Sequence, residues 1–148
     1  MSVAVTDYTE IDFSPLLALA EDEVVTRSLV SDVRLASGRT LALITLHNGK
    51  DHTRPNTLGP ATLTELGERL DELKDRAAAG EIDAVAVTGK PYIFAAGADL
   101  SKVSDLPSKD IARLIAQLGH HVLGKLSHLG VPSFSFVNGL ALGGAVEI

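Results

Sequence analysis

An α/β fold with a mostly parallel sheet is predicted by three patterns that succeed one another along the 148 residues. Strand-like apolar runs alternate with segments of helical period. Two of those runs pass into glycine-bearing segments, Phe94–Leu100 and Val137–Glu147. Strand, helix, strand, glycine turn, helix, strand, glycine turn implies parallel pairing with right-handed crossovers. It puts both glycine turns at carboxyl ends of strands, the edge where ligands bind in open α/β sheets. The composition, 45% hydrophobic and 22% charged, is that of a globular domain.

Residues 1–23 are acidic and mixed, with Pro15 interrupting Leu16–Ala20, and read as an N-terminal extension, packed on the domain or loosely ordered. The domain itself is assigned to residues 24–148. Alternation in Val30–Leu35 and the run Leu41–Leu46 flank Ser37-Gly38-Arg39, a turn signal that predicts a hairpin. His47–Pro60 is polar and broken by Gly49, Pro55, Gly59 and Pro60, and is expected to be a loop. Leu63, Leu66, Leu70 and Leu73 recur at helical spacing, with Glu65, Glu68, Arg69 and Lys74 between them; Gly80 ends that amphipathic helix. Ile82–Thr88 reads as a buried strand ending at Gly89. Pro107 and Ser108 open a second helix carried by Ile111, Leu114, Ile115, Leu118, Val122, Leu126 and Leu129, and Gly130 and Pro132 close it. Ser133–Val137 is the next strand. Ile148 comes after an apolar, glycine-rich turn at the point where another helix is expected to begin, so the chain reads as the front part of a longer domain.

Helix starts carry backbone N–H groups without intrahelical partners and a partial positive charge, so two such turns brought together can hold a developing negative oxygen. The candidate binding residues are Ala96, Gly97, Ala98, Asp99, Leu100, Gly143 and Gly144, and Glu147, three positions past Gly144, is a candidate acid or base. Small residues matter because bulky side chains would keep a ligand from the backbone.

These residues also carry a resemblance. From about Val33 to Ile148 the chain resembles the crotonase superfamily of enoyl-CoA hydratases and isomerases. The matching motifs are Asn56-Thr57-Leu58 with the helix after it, Ala84–Gly89, Phe94–Leu100, Val131-Pro132 and Val137–Glu147. The resemblance implies a crotonase-like α/β fold of ββα repeats with a mostly parallel sheet, cut before the C-terminal part of the domain. By position it puts the two oxyanion donors on the N–H groups of Ala98 and Gly144 and the first catalytic glutamate on Glu147. The implied reaction is addition of water to a 2-enoyl-CoA in fatty-acid β-oxidation. Coenzyme A is then part of the substrate, no separate cofactor is needed, and the parent is expected to form trimers or pairs of trimers. The family's second glutamate would lie beyond Ile148, so the fragment alone is expected to be inactive or nearly so. Ala145 and Val146 stand where family hydratases often carry a third glycine and a cysteine, and His47–Pro60 is longer than the usual connection. That long segment and the N-terminal extension suggest a specialised member, the front of a multifunctional β-oxidation polypeptide that also carries a dehydrogenase. An isomerase or thioester hydrolase of the same fold, or a non-catalytic CoA-binding piece, are the alternatives.

Other residues take plainer readings. Asp99 reads as a helix N-cap. His120, His121 and His128 lack a convergent i, i+4 pair, and with His47 and His52 they read as solvated positions, so no metal is expected. Lys90 and Lys102 flank the first glycine turn and read as flexible surface lysines, with CoA phosphate contact as the alternative. Asn138-Gly139 reads as a tight turn that aims the glycine segment after it. Gly139–Gly144 lacks the spacing of a dinucleotide fingerprint, no P-loop lysine comes after it, and no G-x-S-x-G elbow is present. The absence of cysteine removes disulfide and thiolate chemistry and fits a reducing compartment. A formal charge of -6 gives no electrostatic footprint for nucleic acid. With no signal peptide or membrane-length apolar run, a soluble cytoplasmic protein is expected.

Overall fold

The computed structural model of the protein describes residues 11–98 and 108–148. Strands β1 (Arg27–Arg34) and β2 (Thr40–His47) form the expected hairpin, pairing antiparallel from Arg27 opposite His47 to Arg34 opposite Thr40. Helix α1 (Pro60–Ala78) comes after the 48–59 loop and leads to β3 (Ala84–Gly89), which lies parallel to β2. Helix α2 (Lys109–Gly124) leads to β5 (Ser133–Phe136), parallel to β3, so the main sheet has the order β1-β2-β3-β5.

Two short strands lie beyond the sequence reading. β4 (Tyr92–Ala95) and β6 (Gly139–Ala141) pair parallel as a separate two-stranded sheet. Each of β3 and β5 is thus succeeded by a short strand, β3 by β4 and β5 by β6, which is the ββ part of the repeat that the resemblance implies. The carbonyl of Ala95 accepts from the N–H of Leu142 at 3.1 Å, so the contact continues one residue past β6.

Alternation decides which faces meet. Ala42, Ile44 and Leu46 of β2 and Val85 and Val87 of β3 are buried against Leu63, Leu66, Leu70 and Leu73 of α1 and Leu118 and Val122 of α2. At about 25 cal/mol per Å² of apolar surface removed from water, this shared layer is the main stabilising contribution. β5 forms the other border of the sheet, and all four of its residues are exposed, Phe134 and Phe136 to about half.

Several boundaries move. β3 begins at Ala84 rather than Ile82, because the backbone N–H of Asp83 already donates to Thr40 O (2.8 Å) while its carboxylate receives the Thr40 N–H (2.8 Å). The α-helical part of the second helix stops at Gly124 and tightens into a 3-10 turn over Lys125–His128, a common form of last turn. There Lys125 donates to Asp71 at 2.6 Å and His128 Nδ1 contacts Gly124 O at 2.8 Å. The expected helix start after the second glycine segment takes the form of a 3-10 turn, Gly143–Glu147.

The described part of the N-terminal extension makes both apolar and polar contacts with the domain. A 3-10 turn over Ser14–Leu19 buries Leu16 in the main core. Glu23 then caps α1 from a distance. Gly59, at the N-cap position, has no side chain to offer, and the Glu23 carboxylate accepts from Ala61 N (2.7 Å), Thr62 N (2.9 Å) and Thr62 Oγ1 (2.6 Å). A Cβ at Gly59 would overlap that carboxylate. The negative charge also faces the positive end of the helix dipole. Glu23→Ala is therefore expected to cost about 1–2 kcal/mol, read as a lower urea midpoint with an unchanged slope; an unmoved midpoint would show that solvent caps the helix equally well.

Candidate active site

The two glycine turns meet. Gly97 has φ +74°, in the left-handed region, and its backbone sits directly on the second segment: a Cβ there would lie 2.7 Å from Leu142 O and 2.9 Å from Gly144 N. Only glycine fits that approach without strain. Gly143 also has positive φ, +57°. Sequence-distant residues 97 and 142–144 thus form one backbone surface. Ala98 is exposed beside it and Gly144 is half-buried. Asp99, Leu100 and Lys102, and with them the N-cap reading of Asp99, lie outside the described residues. The N-cap of α2 is Ser108, whose Oγ accepts from Ile111 N at 3.2 Å.

Asn56 fixes the first turn. It is fully buried, and its backbone carbonyl accepts the Ala96 N–H at 2.8 Å. Its side-chain amide donates to Leu46 O (2.8 Å) and Phe94 O (3.0 Å) and accepts from Asn48 N at 3.1 Å. Two residues on, Leu58 N donates to Gly97 O at 2.8 Å. The turn is therefore hydrogen-bonded to the 56–58 segment. Asn56 entered the sequence reading only as part of a motif; its place after Pro55 in a polar loop carries no signal for this role.

Asn138 does the corresponding work before the second turn. It is not a self-contained tight turn: Gly139 already belongs to β6, and the Asn138 side chain reaches across to the end of β3. Its Nδ2 donates to Gly89 O (2.9 Å) and Lys90 O (2.8 Å), and its Oδ1 accepts from Gly89 N at 3.1 Å. The second glycine turn is thereby referenced to the end of β3 and the β3–β4 connection.

Lys90 departs from the surface reading. It is 2% exposed, and its ammonium donates to Asn48 Oδ1 (2.6 Å), Lys50 O (3.0 Å), Asp51 O (2.8 Å) and Arg54 O (2.5 Å). Sequence favours solvent for a lysine because burying the cation costs free energy unless it is paired or solvated; here loop carbonyls replace water. Burial pushes its pKa below the ordinary lysine value, and the nearby charge of Asp51 opposes that shift. This lysine is not available to a phosphate.

Glu147 closes the 3-10 turn and is exposed. It lines a cleft with Val87, Leu123, Leu126, Ser133, Ser135 and Ile148, on the side of β5 that faces the end of α2. Ser135 Oγ donates to Ile148 O at 2.6 Å across it. His121 stacks on Phe13 with centroids 6.1 Å apart, and among the described residues no group of His, Asp or Glu is arranged to hold a metal.

A family model described as enoyl-CoA hydratase/isomerase matches residues 36–148. The chain belongs to that family. Among curated relatives, it is 35% identical over 93 residues to the fatty acid oxidation complex subunit alpha of Shewanella amazonensis, covering 63% of this chain and 13% of that protein. It is 27% identical over 116 residues to a probable enoyl-CoA hydratase of Bacillus subtilis, covering 78% of this chain and 42% of that one. The fold superposes on the 1.8 Å crystal structure of an enoyl-CoA hydratase from Bacillus anthracis with a TM-score of 0.65 and 26% identity, over 80% of this chain and 43% of that one. The mixed α/β architecture is therefore the crotonase fold, and the chain spans less than half the length of these relatives. Among the described residues no helix is long and apolar enough to cross a membrane.

Proposed function

We propose that this enoyl-CoA hydratase/isomerase family chain carries the oxyanion-binding half of a site that adds water to a 2-enoyl-CoA. The observation that supports it most is the seating of Gly97 on the Leu142–Gly144 backbone, which brings the turns bearing Ala98 and Gly144 together. In the proposed reaction, water breaks one O–H bond, its oxygen bonds to C3, and a proton reaches C2. Between these events the thioester oxygen holds the charge of an enolate. The N–H groups of Ala98 and Gly144 would donate to that oxygen, stabilising the enolate more than the substrate; each is expected to lower the barrier by about 3 kcal/mol. Glu147 would move a proton of the water. A second carboxylate, implied by the family's two-glutamate hydratases, completes the proton transfers in this reading.

Crotonyl-CoA supplied to the polypeptide that carries this chain tests the proposal. Loss of the enoyl thioester absorbance with formation of 3-hydroxybutyryl-CoA is the expected result. Double-bond migration without water uptake would point instead to an isomerase, which needs the same oxyanion donors and a proton shuttle but no nucleophilic water. No turnover across a series of enoyl chain lengths would contradict both.

A further inference from the structure

We propose that Lys90 is a positioning residue for the first glycine turn, its ammonium gathering the 48–55 loop so that Asn56 and Leu58 hold residues 96 and 97 in place. The inference rests on the reading of that turn as an oxyanion donor.

An ammonium has three donors, and four oxygens converge on this one, three of them main-chain carbonyls of a polar loop with no helix or strand of its own. Without the cation those carbonyls would face one another in a site closed to bulk water, so the loop would have to open. The same loop runs directly into the segment that binds the turn. Asn48, which accepts from Lys90, also donates through Nδ2 to Arg54 O (3.2 Å) and Pro55 O (2.9 Å), and its backbone N–H reaches Asn56 Oδ1. Asn56 and Leu58 then bind Ala96 N and Gly97 O. At its main chain, Lys90 donates to Leu46 O at 3.0 Å and accepts from Asn138, the residue that leads into the second turn. One residue is thus joined to both turns, by its side chain to the first and by its carbonyl to the second.

Lys90→Met keeps the length of the side chain and removes the charge and its donors. Three experiments are made on the polypeptide that carries this chain: urea denaturation for the midpoint, steady-state kinetics for kcat and KM of crotonyl-CoA hydration, and hydrogen exchange at the Ala96 and Leu58 amides. The expected pattern is a kcat about tenfold to a hundredfold lower with KM nearly unchanged, together with faster exchange at both amides. A lowered midpoint with kcat and both amides unaltered would overturn the proposal, since the lysine would then support only the loop. If Lys90→Met does not fold, Asn48→Ser, which retains the cation and removes one acceptor together with the Nδ2 bonds to Arg54 O and Pro55 O, is judged by the same readouts. If the unaltered protein does not hydrate crotonyl-CoA, the hydratase reading fails, and exchange at the two amides still decides whether Lys90 positions the turn.

Discussion

Gly97→Ala is expected to damage stability and chemistry together. At φ +74° an alanine is held in the left-handed region, which costs about 1–3 kcal/mol. Its Cβ would also press on Leu142 O at 2.7 Å and Gly144 N at 2.9 Å, and these are main-chain atoms that no rotamer change can move aside. Overpacking of that kind costs about another 1–3 kcal/mol. To relieve it the two turns must separate, which would carry the Ala98 and Gly144 amides away from the oxygen they are proposed to share. A misplacement of about 1 Å lowers turnover about a hundredfold. The checks are the urea midpoint and kcat/KM for crotonyl-CoA. Gly119→Ala is the control, because nothing lies within 4 Å of a Cβ at that helical position; it should be neutral or slightly stabilising. Equal effects of the two substitutions would mean that the turns do not depend on close approach.

Glu147→Gln is expected to lower kcat by about 10² to 10⁴ while leaving the urea midpoint within about 0.5 kcal/mol of the original. The side chain is exposed, and glutamine keeps its size and polarity while losing the ability to take a proton. A purely structural glutamate at this short turn would give the reverse pattern, with unchanged turnover and a small shift in the midpoint from the lost charge–dipole interaction. Steady-state kinetics and denaturation on the same preparation separate the two.

The larger elements were legible because each imposes a period. Leu63, Leu66, Leu70 and Leu73 mark one face of α1, and all four are buried. The hairpin was readable from Ser37-Gly38-Arg39 between two apolar runs. β4 and β6 were not, since four and three residues are too few to display alternation, and β4 begins at Tyr92 with φ +67°, a conformation that no residue propensity announces. At the candidate site, the glycine segments and Glu147 were visible as motifs, because small residues at a strand end leave a pattern in the sequence. The groups that brace the turns were not. Lys90 reads as solvent-seeking until three loop carbonyls are found around its ammonium, and Glu23 caps a helix whose first residue lies 37 positions later, at Pro60. Both act through contacts between distant segments, which leave no local trace.

The proposed chemistry requires the main-chain amides of residues 98 and 144 to serve one oxygen atom. A crystal structure of the polypeptide that carries this chain, with a non-hydratable acyl-CoA bound, would show whether they do. The thioester oxygen is expected about 2.7–3.1 Å from both nitrogens. An oxygen bound to neither, or either N–H donating to a main-chain carbonyl in the liganded state, would refute the shared oxyanion site.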